Sequence, residues 1–249
     1  MDFFLDFEAS QFTQEIISIG CVSETDEQFY SLVNTKHRIG TFVKGLTGLT
    51  QEEIKNAPTP DVVFYNFFLW LYKTADGGKV NFICYGNNDT NFAIKTLQNV
   101  KDAFFAQCAL SVISTNTIDY ADYVKTYFGL SQNIGLLKIA QFFSPDKELV
   151  QTHNALDDAL MLKFVYDNIQ NGLDIQDDAV LDYMTKIERY TSTGELLETY
   201  FGLGKAVDWV MEFQGMPKDA KKKKVANHIK LAAEEDTGYC GFKWKIIHY

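Results

Sequence analysis

Five residues in this chain have the types and neighbours to do chemistry. Asp6 and Glu8 lie two apart in FFLDFEA, Asp89 lies in YGNNDTNF, and His153 and Asp158 lie five apart in HNALDDALML. FFLDFEA has the composition of a strand, and a strand turns alternate side chains to opposite faces. Phe3, Leu5 and Phe7 therefore share one face, and Phe4, Asp6 and Glu8 share the other. Carboxylates are rarely buried unless they are paired or bind a metal. Two of them on one face of so apolar a strand mark either a strand end that reaches water or the floor of a cation site. Asp89 falls where a strand hands over to a helix, a place where an acid can also serve as a cap or dipole partner. In HNALDDALML, Ala155, Ala159 and Leu162 mark one helix side and Asp158 falls among them, while Asp157 falls one step round toward solvent. Small alanines let that side approach a sheet closely. Carboxylate oxygens are hard ligands suited to Mg²⁺ or Mn²⁺, and a histidine with an ordinary pKa of about 6.5 is able to accept a proton near neutrality.

The surrounding elements have to bring these residues together. FFLDFEA, EIISIGCVSE and QFYSLVN read as three strands of an antiparallel meander. After a loop, Thr50 followed by Glu53 forms a capping-box start to a short helix that Pro58 and Pro60 end. DVVFYNFFLWLYK reads as a helix packed hard on the sheet, KVNFICYG as a buried fourth strand, and DTNFAIKTLQNV as a helix. STNTIDY reads as a fifth strand leading into a helix through Val124 and Phe128. GLLKIAQFF is a further helix, and THNALDDALMLKFVYDNIQ a long one starting near Thr152. Strands followed by strand–helix alternation predict an α/β domain over residues 1–174. A connector, GLDIQDDAVLDYM, then leads to a second unit over 178–249. It holds a hairpin around Ser192-Thr193-Gly194, two helices (GLGKAVDWVMEF and DAKKKKVANHIKLAAEE) and a last short strand, GYCGFKWKII.

Composition narrows the function. A chain of 249 residues with 46% hydrophobic content is long enough for one sizeable core and a smaller unit. No apolar run approaches the roughly 20 residues of a membrane span. FFLDFEA is short and acidic and lacks a basic flank, so no secretory leader is expected. Cys21, Cys84, Cys108 and Cys240 are scattered without C-x-x-C pairing, which points to a reduced, cytoplasmic setting. A net charge of −10 argues at first against nucleic acid, but its distribution is uneven. Met1 to Asp174 carries 21 acids against 12 Lys and Arg, whereas residues from Lys218 onward carry 8 basic residues against 4 acids. An acidic body whose charge is offset by cations, with a basic tail section, fits a metal-dependent nuclease, and it also fits many proteins that never touch DNA.

Taken together, D-F-E at Asp6 to Glu8, Asp89 in GNNDTNF and H-x-A-x-x-D from His153 to Asp158 resemble the DEDDh family of 3′–5′ exonucleases. QEIISIGCV and TGLTQEEI extend the resemblance over about the first 172 residues. DFEAS followed closely by QEIISIG is most similar to the branch containing histone-mRNA 3′-end exonucleases. Ser10 stands where many members have Thr, and the loop after it is short. The resemblance implies a ribonuclease-H-like α/β fold, a mixed five-stranded sheet flanked by helices. It also implies two Mg²⁺ or Mn²⁺ ions held by Asp6, Glu8, Asp89 and Asp158, with His153 as general base. The products would be nucleoside 5′-monophosphates taken from the 3′ end of single-stranded nucleic acid or of duplexes, DNA or RNA.

Tyr190 to Glu195, Lys205, Ala206, Ile229 and Gly241 to Lys245 resemble the modular DNA-binding repeat of intron-encoded endonucleases. That resemblance implies a small α+β helix-turn-helix module in which Lys221, Lys222, Lys223 and Lys224 meet DNA. Packing on the nuclease, dimerisation or a merely solvated lysine face are the structural alternatives, and Trp244 reads as core. Two other functions compete with an exonuclease: a catalytically silent nucleic-acid-binding protein, and a ribonuclease-H-like endonuclease or recombinase. The presence of all five site residues argues against the first, and the His-to-Asp spacing against the second.

Overall fold

The computed structural model describes residues 1–128, 130, 132–144, 148–171, 185–217 and 222–248. The chain divides into two compact units, one of Met1–Tyr123 with Gly135–Leu173, the other of Val124–Ile134 with Asp174–Tyr249. The connector read at GLDIQDDAVLDYM, the domain boundary placed within it, and Lys221 lie outside the described residues.

In the first unit, β1 (Asp2–Ala9), β2 (Ile16–Ser23) and β3 (Gln28–Leu32) form the expected antiparallel meander. Helices α1 (Thr41–Thr47), α2 (Gln51–Asn56) and α3 (Pro60–Thr74) follow. Then come β4 (Asn81–Cys84), α4 (Asn88–Leu97), α5 (Ala103–Asn116) and β5 (Thr117–Asp119). After α6 (Tyr120–Tyr127), α7 (Leu136–Phe143) and α8 (Ala155–Gln170) complete this part of the chain. The sheet runs β3-β2-β1-β4-β5, with β4 parallel to β1 and β5 parallel to β4. This is a mixed five-stranded α/β sheet flanked by helices, the ribonuclease-H-like arrangement.

Strand alternation divides β1 as its sequence requires. Phe3, Leu5 and Phe7 enter a core with Val63, Phe64, Phe67 and Leu71 of α3. Each such side chain contributes about 1.5–3 kcal/mol by leaving water. On the opposite face Phe4 meets Tyr166 of α8 edge-on, 4.9 Å between ring centroids. Asp6 and Glu8 therefore face the α8 side of the sheet. The capping box of α2 forms as read: the Thr50 hydroxyl accepts from the Glu53 amide, and the Glu53 carboxylate accepts from the Thr50 amide.

Four sequence expectations need correction. Pro60 opens α3, at a position where its missing N–H costs nothing. The fifth strand begins at Thr117, because Ser114 to Asn116 are the end of α5. The cap of α8 is Asn154, whose side chain accepts from the amides of Leu156 and Asp157. Helices α1 and α5 have no counterpart in the sequence reading. The first is a weak former held by burying Val43 with Ile17, Ile39 and Ile54. The second carries apolar residues all round and so shows little periodicity.

The second unit contains an antiparallel sheet ordered β7-β6-β9-β8: β6 (Thr185–Tyr190), β7 (Leu196–Phe201), β8 (Gly238–Tyr239) and β9 (Phe242–His248). Helices α9 (Leu203–Phe213) and α10 (Lys222–Glu234) pack on it through Val207, Val210, Val225 and Ile229. The expected hairpin, helices and closing strand are present, and Trp244 is buried with its Nε1 donating to the Tyr239 carbonyl, 3.0 Å away. Among the described residues, no helix is long and apolar enough to cross a membrane.

Candidate active site

The site begins with a glycine. Asp6 pairs across the β1–β2 ladder with Gly20, and Glu8 with Ser18. A Cβ at Gly20 would fall 2.1 Å from the Ala155 carbonyl carbon and the Leu156 nitrogen. Only glycine lets the first turn of α8 sit so closely on the strand beside Asp6. Ala155, Asp158, Ala159 and Leu162 are the buried side of that helix, and Asp157 is exposed, as the spacing predicts.

The chain enters α8 through His153, whose φ of +51° lies in the left-handed region that side chains rarely adopt. That conformation precedes the Asn154 cap and leaves His153 Nδ1 3.9 Å from Glu8 Oε1. From the other direction, Asp89 in the first turn of α4 reaches back to β1, where its Oδ1 accepts from the Phe7 amide at 3.2 Å. Asp89 is buried, and the residue it anchors to sits between Asp6 and Glu8. The long-range bond distinguishes it from an acid that merely caps its own helix.

Four carboxylates thus share one pocket of charge. Burial pushes Asp6 well above the ordinary range, and Asp89, Glu8 and Asp158 push it further. Glu8 is raised to about 8 by burial and then by Asp158 and Asp89. Burial lifts Asp89 to about 7 against the opposing pull of the Phe7 amide and its own. Burial also raises Asp158, although Gln151 and His153 offset part of the rise. Gln151 Nε2 donates to Asp158 Oδ2 at 2.8 Å, while buried Asp158 Oδ1 has no hydrogen-bond partner among the described residues. A buried acceptor left short in this way costs about 1–3 kcal/mol or more.

Glu8, His153 and Asp158 each offer one ligand atom, all within 4.8 Å of one another. Mutual repulsion, hard oxygen donors and an orphaned acceptor fit a divalent cation. The five residues picked from the sequence are therefore brought to one place, with Asp6 and Asp89 joined to the cluster through the charge they exert. Sequence reading missed Gly20, Gln151 and Asn154. For Gly20 there was a signal, since glycine inside an apolar strand marks a close backbone approach. Gln151 and Asn154 are ordinary polar loop residues without one.

In the other unit, Lys222, Lys223 and Lys224 are exposed at the start of α10, and Lys222 Nζ pairs with Asp208 at 2.7 Å.

A family model described as exonuclease, RNase T, matches residues 3–166. No curated protein sequence matches the chain. Among solved structures, the chain is similar to the nuclease domain of 3′hExo, a DEDDh family member bound to rAMP. That similarity has 21% identity and a TM-score of 0.54, covering 70% of this chain and 94% of that one. A 3′-exonuclease solved for 3′-end specific recognition of the histone mRNA stem-loop gives 20% identity and a TM-score of 0.53, over 79% of this chain and 69% of that one. Cell-death related nuclease 4, CRN-4, gives 21% identity and a TM-score of 0.52, over 68% of this chain and 63% of that one. The match spans less than two thirds of CRN-4 and of the full-length 3′-exonuclease, where it reaches 62%. At such identities the likeness establishes the fold, and the family match establishes descent: the chain belongs to the RNase T family of exonucleases.

Proposed function

We propose that the chain is a metal-dependent 3′–5′ exonuclease that releases nucleoside 5′-monophosphates from the 3′ ends of DNA or RNA. The observation that carries this reading is the cluster of Asp6, Glu8, Asp89 and Asp158, which raise one another's pKa, with His153 beside Glu8 and an Asp158 oxygen that has no partner among the described residues. The residues that would hold two Mg²⁺ or Mn²⁺ ions are Asp6, Glu8, Asp89 and Asp158. Bound there, the pair would supply Lewis-acid stabilisation of the charge that develops on the attacking and leaving oxygens. His153 stands at the rim of the acids, where its imidazole can take a proton from an attacking water.

The reading extends to the unit over 178–249 as a module that binds DNA or another nucleic acid through the lysines that open α10. Four free cysteines fit a reducing, cytoplasmic setting.

Single-stranded and duplex DNA and RNA, 5′-labelled and with free or blocked 3′ ends, test polarity and substrate with Mg²⁺, Mn²⁺ or chelator. Stepwise shortening that stops at a blocked 3′ end supports the reading. Internal cuts overturn it in favour of an endonuclease, and binding without cleavage in favour of a silent binding protein.

A further inference from the structure

The loop after β3 is basic in a part of the chain that is otherwise acidic. Met1 to Asp174 carries 21 acids against 12 Lys and Arg, yet Gln28 to Gln51 holds no acid and includes Lys36, His37, Arg38 and Lys44. The run Lys36-His37-Arg38 stands between two anchors. Thr35 and Ile39 are buried: the Thr35 hydroxyl donates to Glu15 at 2.9 Å, and Ile39 packs with Ile17, Val43 and Ile54. Between them, His37 Nδ1 meets the same Glu15 carboxylate, and the Ile39 amide donates to Gln51 Oε1 at 2.9 Å. Lys36 and Arg38 are exposed, and neither pairs with an acid among the described residues. The loop is held in place while two of its cations face water.

We infer that Lys36 and Arg38 hold phosphates of a single strand upstream of its 3′ end, an inference that rests on the exonuclease reading above. Sheet register sets the place. Glu8 pairs with Ser18 and Ser18 with Leu32, so Leu32 stands two strand spacings from Glu8, about 10 Å. Strands β1 and β3 run the same way, because each is antiparallel to β2. The chain beyond Leu32 therefore leaves the sheet at the end where Glu8 lies, and Lys36 follows shortly after. The two loops at that end touch, since a Cβ at Gly40 would strike the side chain of Gln11. The occupant follows from charge. An acidic body repels a polyanion at long range, so a strand that reaches the acids needs fixed cations beside them. Arginine offers a planar fork that matches phosphate oxygens, and lysine a compact point charge. Anchoring at Thr35, His37 and Ile39 leaves less loop freedom to lose when the strand binds.

Fluorescence anisotropy of 5′-labelled oligothymidylate and oligouridylate, titrated with the full chain at several salt concentrations and with Ca²⁺ in place of Mg²⁺, tests this. Lys36→Gln with Arg38→Gln should weaken binding and make the slope of log affinity against log salt shallower by about 1.4, at about 0.7 per phosphate contact on a single strand. In a Mg²⁺ cleavage assay the same variant should raise KM for a long strand more than it lowers kcat. Lys73→Gln with Lys79→Gln removes the same charge elsewhere: Lys79 precedes Asn81, which pairs with Asp2 at the far end of β1 from Glu8. That control should leave slope and KM unchanged. Thermal melts check that each variant is folded. An unchanged slope in the Lys36 and Arg38 variant, or an equal change in both double variants, overturns the inference, whether or not the wild type cleaves. A wild type that binds with the predicted slope change but cuts no strand would instead overturn the exonuclease reading and leave the phosphate contacts standing.

Discussion

Two buried carboxylates in the same unit meet opposite fates. Glu15, at the start of the strand that pairs with β1, has both oxygens occupied. Its Oε2 accepts from Thr13 and Thr35 at 2.9 Å and meets His37 Nδ1 at 2.5 Å, while Oε1 accepts from Asn99 at 2.6 Å. Burial pushes Glu15 upward, but the bonds from His37, Thr13 and Thr35 outweigh it and hold the carboxyl below its ordinary value. Asp158 has one oxygen bonded to Gln151 and the other without a partner among the described residues, beside three more acids, and is raised. The difference separates scaffold from chemistry. A buried acid whose hydrogen bonds are complete ties segments together, here the β1–β2 loop, the loop after β3 and the end of α4. A buried acid left incomplete among its own kind has the charge and the open acceptor that a cation would satisfy.

The largest effect that sharpens this contrast comes from exchanging one carboxylate for an amide in each region. Asp158→Asn or Asp6→Asn should reduce cleavage to background while the metal-free protein melts no lower than wild type, because a repelling charge has gone. Glu15→Gln should do the reverse. It should cost about 1.5–3 kcal/mol of stability, the scale of charge-assisted bonds, with activity per folded molecule retained. Denaturant titration and a single-turnover nuclease assay read both. Next in size, His153→Ala should slow turnover by about 10²–10⁴-fold without lowering the melting temperature.

Smaller is the effect of Gly20→Ala, whose new methyl meets the backbone of α8 and not a side chain able to turn aside. Overpacking of this kind costs about 1–3 kcal/mol, and the displaced first turn should also misplace His153 and Asp158, so activity should fall more than stability. Unchanged melting and turnover would contradict the role given to that close approach.

The two regions should also respond to pH with opposite signs. The folded-state values of Glu8 and Asp89 are raised to about 8 and about 7. Metal-free protein therefore gains stability from them below the ordinary carboxylate range near about 4, and loses it as pH rises through about 7–8. Glu15 is lowered, so its contribution is present above the ordinary range and lost as pH falls below it. In chelator, thermal melts should decline from about pH 4 to 8 and level off above that, and Glu8→Gln should remove part of that decline. Smallest of all, Lys222, Lys223 and Lys224 changed together to Gln should make binding to long DNA less salt-dependent without altering turnover on a short substrate. An unchanged salt slope would leave those lysines as a solvated face.

The acid region was readable in the sequence because each of its parts carries a local signature. Period-two alternation sets Asp6 and Glu8 on one face of β1, and period 3.6 sets Asp158 among alanines. The Glu15 hub has none. Its partners at 13, 35, 37 and 99 come from three separate segments, and each alone is an ordinary polar loop residue. The fold divides in the same way. The meander and the α2 capping box announce themselves, whereas α1 owes its form to the burial of Val43. Helix α5 hides its period because Phe104 and its neighbours are apolar on the solvent side as well.

The central claim is that the incomplete acids form a cation site and the completed one does not. Calorimetric titration of Mn²⁺ into wild type, Asp158→Asn and Glu15→Gln, each in two buffers of different ionisation heat, tests it most directly. The account predicts tight binding by wild type with proton release near pH 7, since Glu8 and Asp89 hold protons there. It predicts the same behaviour for Glu15→Gln and severely weakened binding for Asp158→Asn. Equal binding by Asp158→Asn, or wild-type binding without proton release, would contradict it.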